Sequence, residues 1–164
     1  MMRTYRSNPM PTNSSQSRTS PAPPTPVAVP PRGETLLVVD DDPMIRDLEA
    51  QILRLKGYTV LQAEGAEDAM RLAGEIEPIH LLITDFAMPD VDGLELSHRF
   101  RSVHPKAPVL MVSSSLPLLG DGARDLKGVE LLAKPFAFSQ LLHKVRTLLD
   151  AAEVVPTRRP WCCD

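Results

Sequence analysis

The sequence predicts an α/β fold built on a parallel sheet. Five short apolar runs rich in β-branched residues lie between Thr35 and Ala133, and helical patterns of spacing three and four alternate with them. The first run, TLLVV (35–39), is bounded by charge and reads as a buried strand. Ile45, Leu48, Ile52 and Leu55 then recur at helical spacing up to Gly57, with Asp42 as N-cap and Pro43 in the first turn. YTVLQA (58–63) is the second strand, and AEDAMRLAGEIE (66–77) the second helix, weakened by Gly74. IHLLIT (79–84) is a third strand whose near-unbroken apolar character suits cover on both faces. MPDVDG (88–93) is a loop, after which Leu96, Phe100 and Val103 mark a third helix that stops before Pro105. PVLMV (108–112) and VELLA (129–133) complete the strands. Pro117, Gly120 and Gly122 leave only a weak or short fourth helix in 116–127, and Leu141, Leu142, Val145, Leu148 and Leu149 define the last.

This alternation implies repeated βαβ units with right-handed crossovers, hence three layers. A six-residue strand spans about 20 Å and a fourteen-residue helix about 21 Å, so each helix can cover its neighbouring strand. The expected architecture is a flavodoxin-like, doubly wound sheet of order 2-1-3-4-5 flanked by five helices.

Composition sets the domain limits. The chain has 164 residues, a net charge of −3 and 17 prolines, eight of them in residues 1–33. That leader also holds nine Ser/Thr and four arginines but no acid, a mixture that cannot bury enough apolar surface to order itself. It is expected to be disordered, residues 34–150 to form the domain, and 151–164 to be a short flexible tail. The domain carries −7, which argues against nucleic-acid binding by the folded part. No apolar run approaches the roughly 18 residues of a membrane helix, and no signal peptide is evident, so a cytoplasmic location is expected. Cys162 and Cys163 read as free thiols, and His80, His98, His104 and His143, which lack ligand spacing, as core or surface residues.

In an open parallel sheet, ligands bind beyond the carboxyl ends of the strands. There the sequence places Asp40, Asp41 and Asp42 after strand one and Asp85 after strand three. Ser113, Ser114 and Ser115 follow strand four, and Lys134 with Pro135 follows strand five. Strand order 2-1-3-4-5 makes Asp40, Asp41 and Asp85 converge. Carboxylates at 4 Å repel by roughly 4 kcal/mol per pair at an effective dielectric near 20. A hard cation such as Mg²⁺ removes that repulsion and, beside a nucleophilic aspartate, equips the site for phosphoryl transfer. Lys134 and the Ser113 hydroxyl would hold phosphoryl oxygens. Taken singly, each residue has a plainer reading: Asp41 or Asp42 as a helix cap, Asp85 as a turn residue, Lys134 as a loop charge.

In this order around five strands, the residues resemble the response regulator receiver family of two-component signalling. The carrying segments are LLVVDDDP (36–43), LLITDFAMPDVDG (81–93), PVLMVSSS (108–115) and AKPF (133–136). The resemblance implies Asp85 as phosphoacceptor, and Mg²⁺ held by Asp40 and Asp41, Asp85 and the Ala87 carbonyl. It implies Ser113 as the switch hydroxyl, Lys134 as the phosphoryl-binding lysine, and a cis Lys134–Pro135 bond. It further implies a phosphoryl supply from a sensor histidine kinase, a histidine-phosphotransfer protein or a small-molecule phosphodonor. The chain would be a phosphoprotein carrying 4-aspartylphosphate, not an enzyme beyond its own phosphorylation and dephosphorylation, and would signal through altered protein binding. With fourteen residues after the last helix, a stand-alone receiver is expected, without output domain, direct DNA binding or membrane contact.

One position departs from the family. Leu131 stands where the family often has a Tyr or Phe that turns inward on activation, so coupling of that kind to Ser113 is degenerate here. The stretch 116–127 departs too, and it belongs to the usual output face of fourth helix, fifth strand and last helix. Two other functions compete. A receiver-like scaffold that no longer switches would share every site residue. An aspartyl phosphatase would use Asp40-x-Asp42, but Met44 stands where its Thr or Val belongs, and Asp85 is left without a role. A dinucleotide-binding fold fails because no G-x-G-x-x-G follows strand one.

Overall fold

Leu36 to Val39 are apolar without a break because both faces of their strand are covered. In the computed structural model, which describes residues 33–114 and 128–153, this strand is β1 (Thr35–Val39). It is followed by α1 (Pro43–Leu55), β2 (Thr59–Ala63), α2 (Ala66–Glu75), β3 (Leu81–Asp85) and α3 (Gly93–Val103). β4 (Val109–Ser113), β5 (Val129–Ala133) and α4 (Phe138–Glu153) complete the described elements. The five strands form one parallel sheet of order β2-β1-β3-β4-β5, as expected. The helix expected within 116–127 lies outside the described residues, so four helices are described. The leader up to residue 32, Ser115, and the tail beyond Glu153 with Cys162 and Cys163 also lie outside them.

The strand period of two sends alternate side chains into two cores. Leu36, Val38, Leu81, Ile83, Leu110 and Val112 pack with Ala50 and Leu53 of α1 and with Leu141, Val145 and Leu149 of α4. Leu37, Val39, Leu82 and Val109 pack on the other face with Ala66, Ala69 and Ala73 of α2 and with Leu96 and Phe100 of α3. Both faces being dry explains why the central strands read as continuous apolar runs.

Helix boundaries follow local chemistry. Asp42 caps α1 as expected: its Oδ1 accepts from the amides of Met44 and Ile45, and Pro43 opens the helix. Asp92 caps α3 by accepting from the Glu95 amide. α2 stops at Glu75, two residues short of expectation, because Ile76 is extended and Pro78 disfavours the helical conformation at Glu77 before it. His104, read as a core or surface residue, is in the core, stacked on Phe100 with its Nε2 2.8 Å from the Ala73 carbonyl.

The face of α1 is a correction. Ile45, Leu48, Ile52 and Leu55 are not its core stripe: Ile45 and Leu48 are exposed, Leu55 is 84% exposed, and Ile52 is half-buried. The buried residues are Glu49, Ala50 and Leu53. The small inward Ala50 lets the helix approach the sheet, and the larger apolar residues are left on its outer flank. Val103 at the end of α3 is exposed for the same reason, since Leu96 and Phe100 fill that core.

Candidate functional site

The carboxyl ends of β1, β3, β4 and β5 share one edge because every strand is parallel. β1 and β3 are neighbours in register Val39↔Thr84, so the acids after them are brought together. Asp40, Asp41 and Asp85 each offer a carboxylate oxygen lying within 4.8 Å of the others. Asp40 is buried, Asp85 half-buried and Asp41 exposed. Lys134, just past β5, reaches across the edge, its Nζ donating to Asp85 Oδ2 at 2.7 Å and to Asp40 Oδ2 at 3.3 Å. The Lys134–Pro135 bond is cis.

Backbone groups hold these side chains in place. Asp40 Oδ1 accepts from the Asp42 amide at 2.8 Å, and the Asp40 carbonyl accepts from Arg46 of α1 at 2.6 Å. Asp85 Oδ1 accepts from the Ala87 amide at 3.3 Å. Ser113 ends β4, is buried, and accepts through its carbonyl from the Lys134 amide at 2.8 Å, which ties the β4 and β5 ends together. Leu131 is half-buried in β5 and pairs with Met111, one pleat repeat before the Ser113↔Ala133 pair.

Two residues were missed by sequence reasoning. Gly93 opens α3 against the end of β3: its amide donates to the Phe86 carbonyl, and a Cβ there would lie 2.3 Å from the Asp85 carbonyl oxygen. The other is Glu49, buried on the inner face of α1, for which the sequence carried no signal because hydrophobic periodicity counts an acid as polar.

Electrostatics follow from burial and charge. Burial is the main cause that raises the Asp40 carboxyl above its ordinary range. Asp85 adds to the rise, and the Asp42 amide and Lys134 offset only part of it. Burial works to lower the Lys134 ammonium, but its hydrogen bond to Asp85 and the charges of Asp40 and Asp85 outweigh this, and its pKa rises. Glu49 is pushed up to about 7, by burial first, then by the charges of Asp40 and Asp85 against the opposing pull of Lys134.

A carboxyl with a raised folded-state pKa supports the fold fully below its unfolded value of 4.5 and loses that support as pH climbs through 7. Between pH 6 and 8 the wild type should therefore lose about 1.4 kcal/mol more than Glu49→Gln. Urea unfolding of both proteins at the two pH values checks this, and parallel losses would contradict it.

The donor set suits a small hard cation. The three acids are all oxygen donors, and with Lys134 they sum to −2, which one divalent ion cancels. Mg²⁺ takes oxygen ligands at about 2.0–2.1 Å, and the three oxygens already lie within 4.8 Å of one another, so side-chain movement without backbone change can gather them around one ion.

The description "response regulator receiver domain" matches this chain over residues 36–146. The chain belongs to that family. As a receiver domain it is 34% identical over 128 residues to the DNA-binding dual master transcriptional regulator RpaA of Synechocystis, covering 74% of this chain and 51% of that protein. It is 35% identical over 132 residues to the response regulator MprA of Mycobacterium leprae, covering 73% of this chain and 55% of the relative. The chain thus spans about half the length of the curated relatives it matches. The crystal structure of TrrA from Thermotoga maritima in complex with Mg²⁺–BeF superposes with a TM-score of 0.61 at 30% identity, covering 70% of this chain and 98% of that one. Receiver domains belong to two-component systems, bind Mg²⁺ through acidic residues, and interact with histidine kinases or phosphotransfer proteins. Among the described residues, no helix is long and apolar enough to cross a membrane.

Proposed function

We propose that this receiver takes a phosphoryl group onto Asp85 and signals through the protein surface that the modified site presents. The observation that carries the reading is the Lys134 bridge between Asp40 and Asp85 within a three-acid group at the sheet edge. Asp85 Oδ attacks the phosphorus of a phosphohistidine on a kinase or phosphotransfer protein, or of a small acyl phosphate. The new O–P bond gives 4-aspartylphosphate. With phosphohistidine the N–P bond breaks, its electron pair returns to the imidazole nitrogen, and that nitrogen takes up a proton; with an acyl phosphate the O–P bond breaks and its electron pair leaves on the carboxylate. Asp40, Asp41, Asp85 and the Ala87 carbonyl would hold Mg²⁺, which when bound supplies charge neutralisation for the phosphoryl oxygens. Lys134 moves from Asp85 to a phosphoryl oxygen, and the Ser113 hydroxyl binds another.

The reading includes a cytoplasmic location, no enzymatic activity beyond this self-modification, and no DNA contact by the acidic domain, whose charge of −7 supports the last point. Leu131 favours a variant of this account. An aliphatic side chain has no hydroxyl or ring to follow the Ser113 hydroxyl, so output runs through the added charge at Asp85 and the loops it touches.

Incubation with acetyl phosphate and Mg²⁺, followed by borohydride trapping and peptide mapping, tests the assignment. The label is expected on Asp85. A label on Asp40 would support the aspartyl phosphatase, and no label would support the non-switching scaffold.

A further inference from the structure

Parallel strands give the sheet two unlike edges, and the edge opposite the aspartates carries a groove of about 210 Å³. Its floor is Ile79 ahead of β3, Ala107 ahead of β4 and Leu149 of α4, all buried. Ala152, in the last turn of α4, forms one wall. Hydrogen bonds hold the place in shape. The Thr35 amide donates to His80 Nδ1 at 2.9 Å, and the His80 amide donates to the Thr35 carbonyl at 2.8 Å. Glu34, also in the lining, is bonded by Arg146 at 2.8 Å.

Size and charge narrow what fills such a groove. A cavity of about 150 Å³ takes one benzene ring, whereas small-molecule sites begin at about 300 Å³. The groove therefore suits one aromatic side chain rather than a metabolite. Two acids, Glu34 and Glu153, against one lysine, Lys106, make the lining negative, on a domain that carries −7. One segment of this chain meets both requirements. Glu153 is the last described residue and lines the groove, so residues 154–164 leave from its rim. They hold Trp161, the only tryptophan in the sequence, and the basic pair Arg158 and Arg159 against one acid, Asp164.

We propose that this tail folds back over the end of α4 and seats Trp161 in the groove, with Arg158 and Arg159 over its acidic rim. Pro156, within Val155-Pro156-Thr157-Arg158, favours the turn that the reversal needs. Four residues lead out from Glu153 to Thr157 and four lead back to Trp161. Each leg spans up to about 12 Å when extended, and the floor from β1 to β4 is two strand spacings, about 10 Å. The leader is the poorer occupant. Its one aromatic is Tyr5, far up the chain, and closing that longer loop costs more entropy. Docking of Trp161 covers the apolar floor and ties the end of α4 to the amino ends of β1, β3 and β4. It is independent of the metal and phosphoryl reading, which concerns the other edge.

Trp161 fluorescence in the full chain tests this, because no other tryptophan contributes. A synthetic peptide of residues 154–164, kept reduced, supplies the exposed reference. Emission from the protein should be blue-shifted from that of the peptide, with an acrylamide quenching constant several-fold lower at every protein concentration. Ala152→Arg puts a long cation into the groove wall, and the end of a helix accepts arginine well, so the fold is kept. Both values should then return to those of the peptide. Trp161→Ala, read by amide chemical shifts, should move His80, Ala107 and Ala152 and leave Asp40 and Asp85 unmoved.

Wild-type emission matching the peptide, protection that survives Ala152→Arg, or groove amides unmoved by Trp161→Ala would overturn the proposal. Protection that grows with protein concentration would assign the groove to the tail of a second copy, and would overturn it as well.

Discussion

Replacing Asp85 by Asn is expected to leave the domain folded and to abolish its uptake of a phosphoryl group from acetyl phosphate. The amide has the shape of the carboxyl but no nucleophilic oxygen anion. Lys134 keeps its bond to Asp40, so no ammonium is stranded. Asp40 cannot take over as acceptor, because it is buried and its Oδ1 is engaged by the Asp42 amide. Intact-mass measurement should show a gain of one phosphoryl group for wild type with Mg²⁺ and none for the variant. A phosphorylated Asp85→Asn protein would show that another acid is the acceptor.

Gly93→Ala is expected to damage both stability and phosphorylation. A Cβ on this residue would sit 2.3 Å from the Asp85 carbonyl oxygen and 3.0 Å from the Phe86 Cα. Both are backbone atoms and cannot rotate aside, so either the first turn of α3 or the end of β3 must move. Overpacking of this kind costs about 1–3 kcal/mol, and sometimes more. Displacement of the reacting carboxylate by about 1 Å can cost about 10²-fold in rate. Gly74→Ala is the control: it lies within α2 with no atom near its Cβ position, and should raise stability by about 0.5–1 kcal/mol. Urea midpoints and the initial rate of acetyl phosphate labelling check both variants. A Gly93→Ala protein with wild-type values would show that the α3–β3 contact does not set the position of Asp85.

The contrast between these two glycines shows where sequence patterns stop being informative. The strands were legible because a parallel sheet dries both faces, so composition alone marks β1, β3 and β4. The convergence of Asp40, Asp41, Asp85 and Lys134 was legible because strand order fixes which loops meet. The packed face of α1 was not. Ile45, Leu48 and Leu55 have helical spacing but lie outward, and the true inward row contains an acid that hydrophobic periodicity counts as polar. Gly93 was hidden because a close approach between backbones leaves no side-chain pattern. Glu49 was hidden because its environment is set by residues from three distant strands.

The central claim, that these carboxylates form one metal and phosphoryl site, is tested most directly by a crystal structure grown with beryllium fluoride and MgCl₂. The account predicts beryllium bonded to an Asp85 carboxylate oxygen, a divalent cation held among Asp40, Asp41, Asp85 and the Ala87 carbonyl, and fluorine atoms within hydrogen-bond reach of Lys134 and Ser113. Density free of both ions, with Asp40, Asp41 and Asp85 turned away from one another, would contradict it.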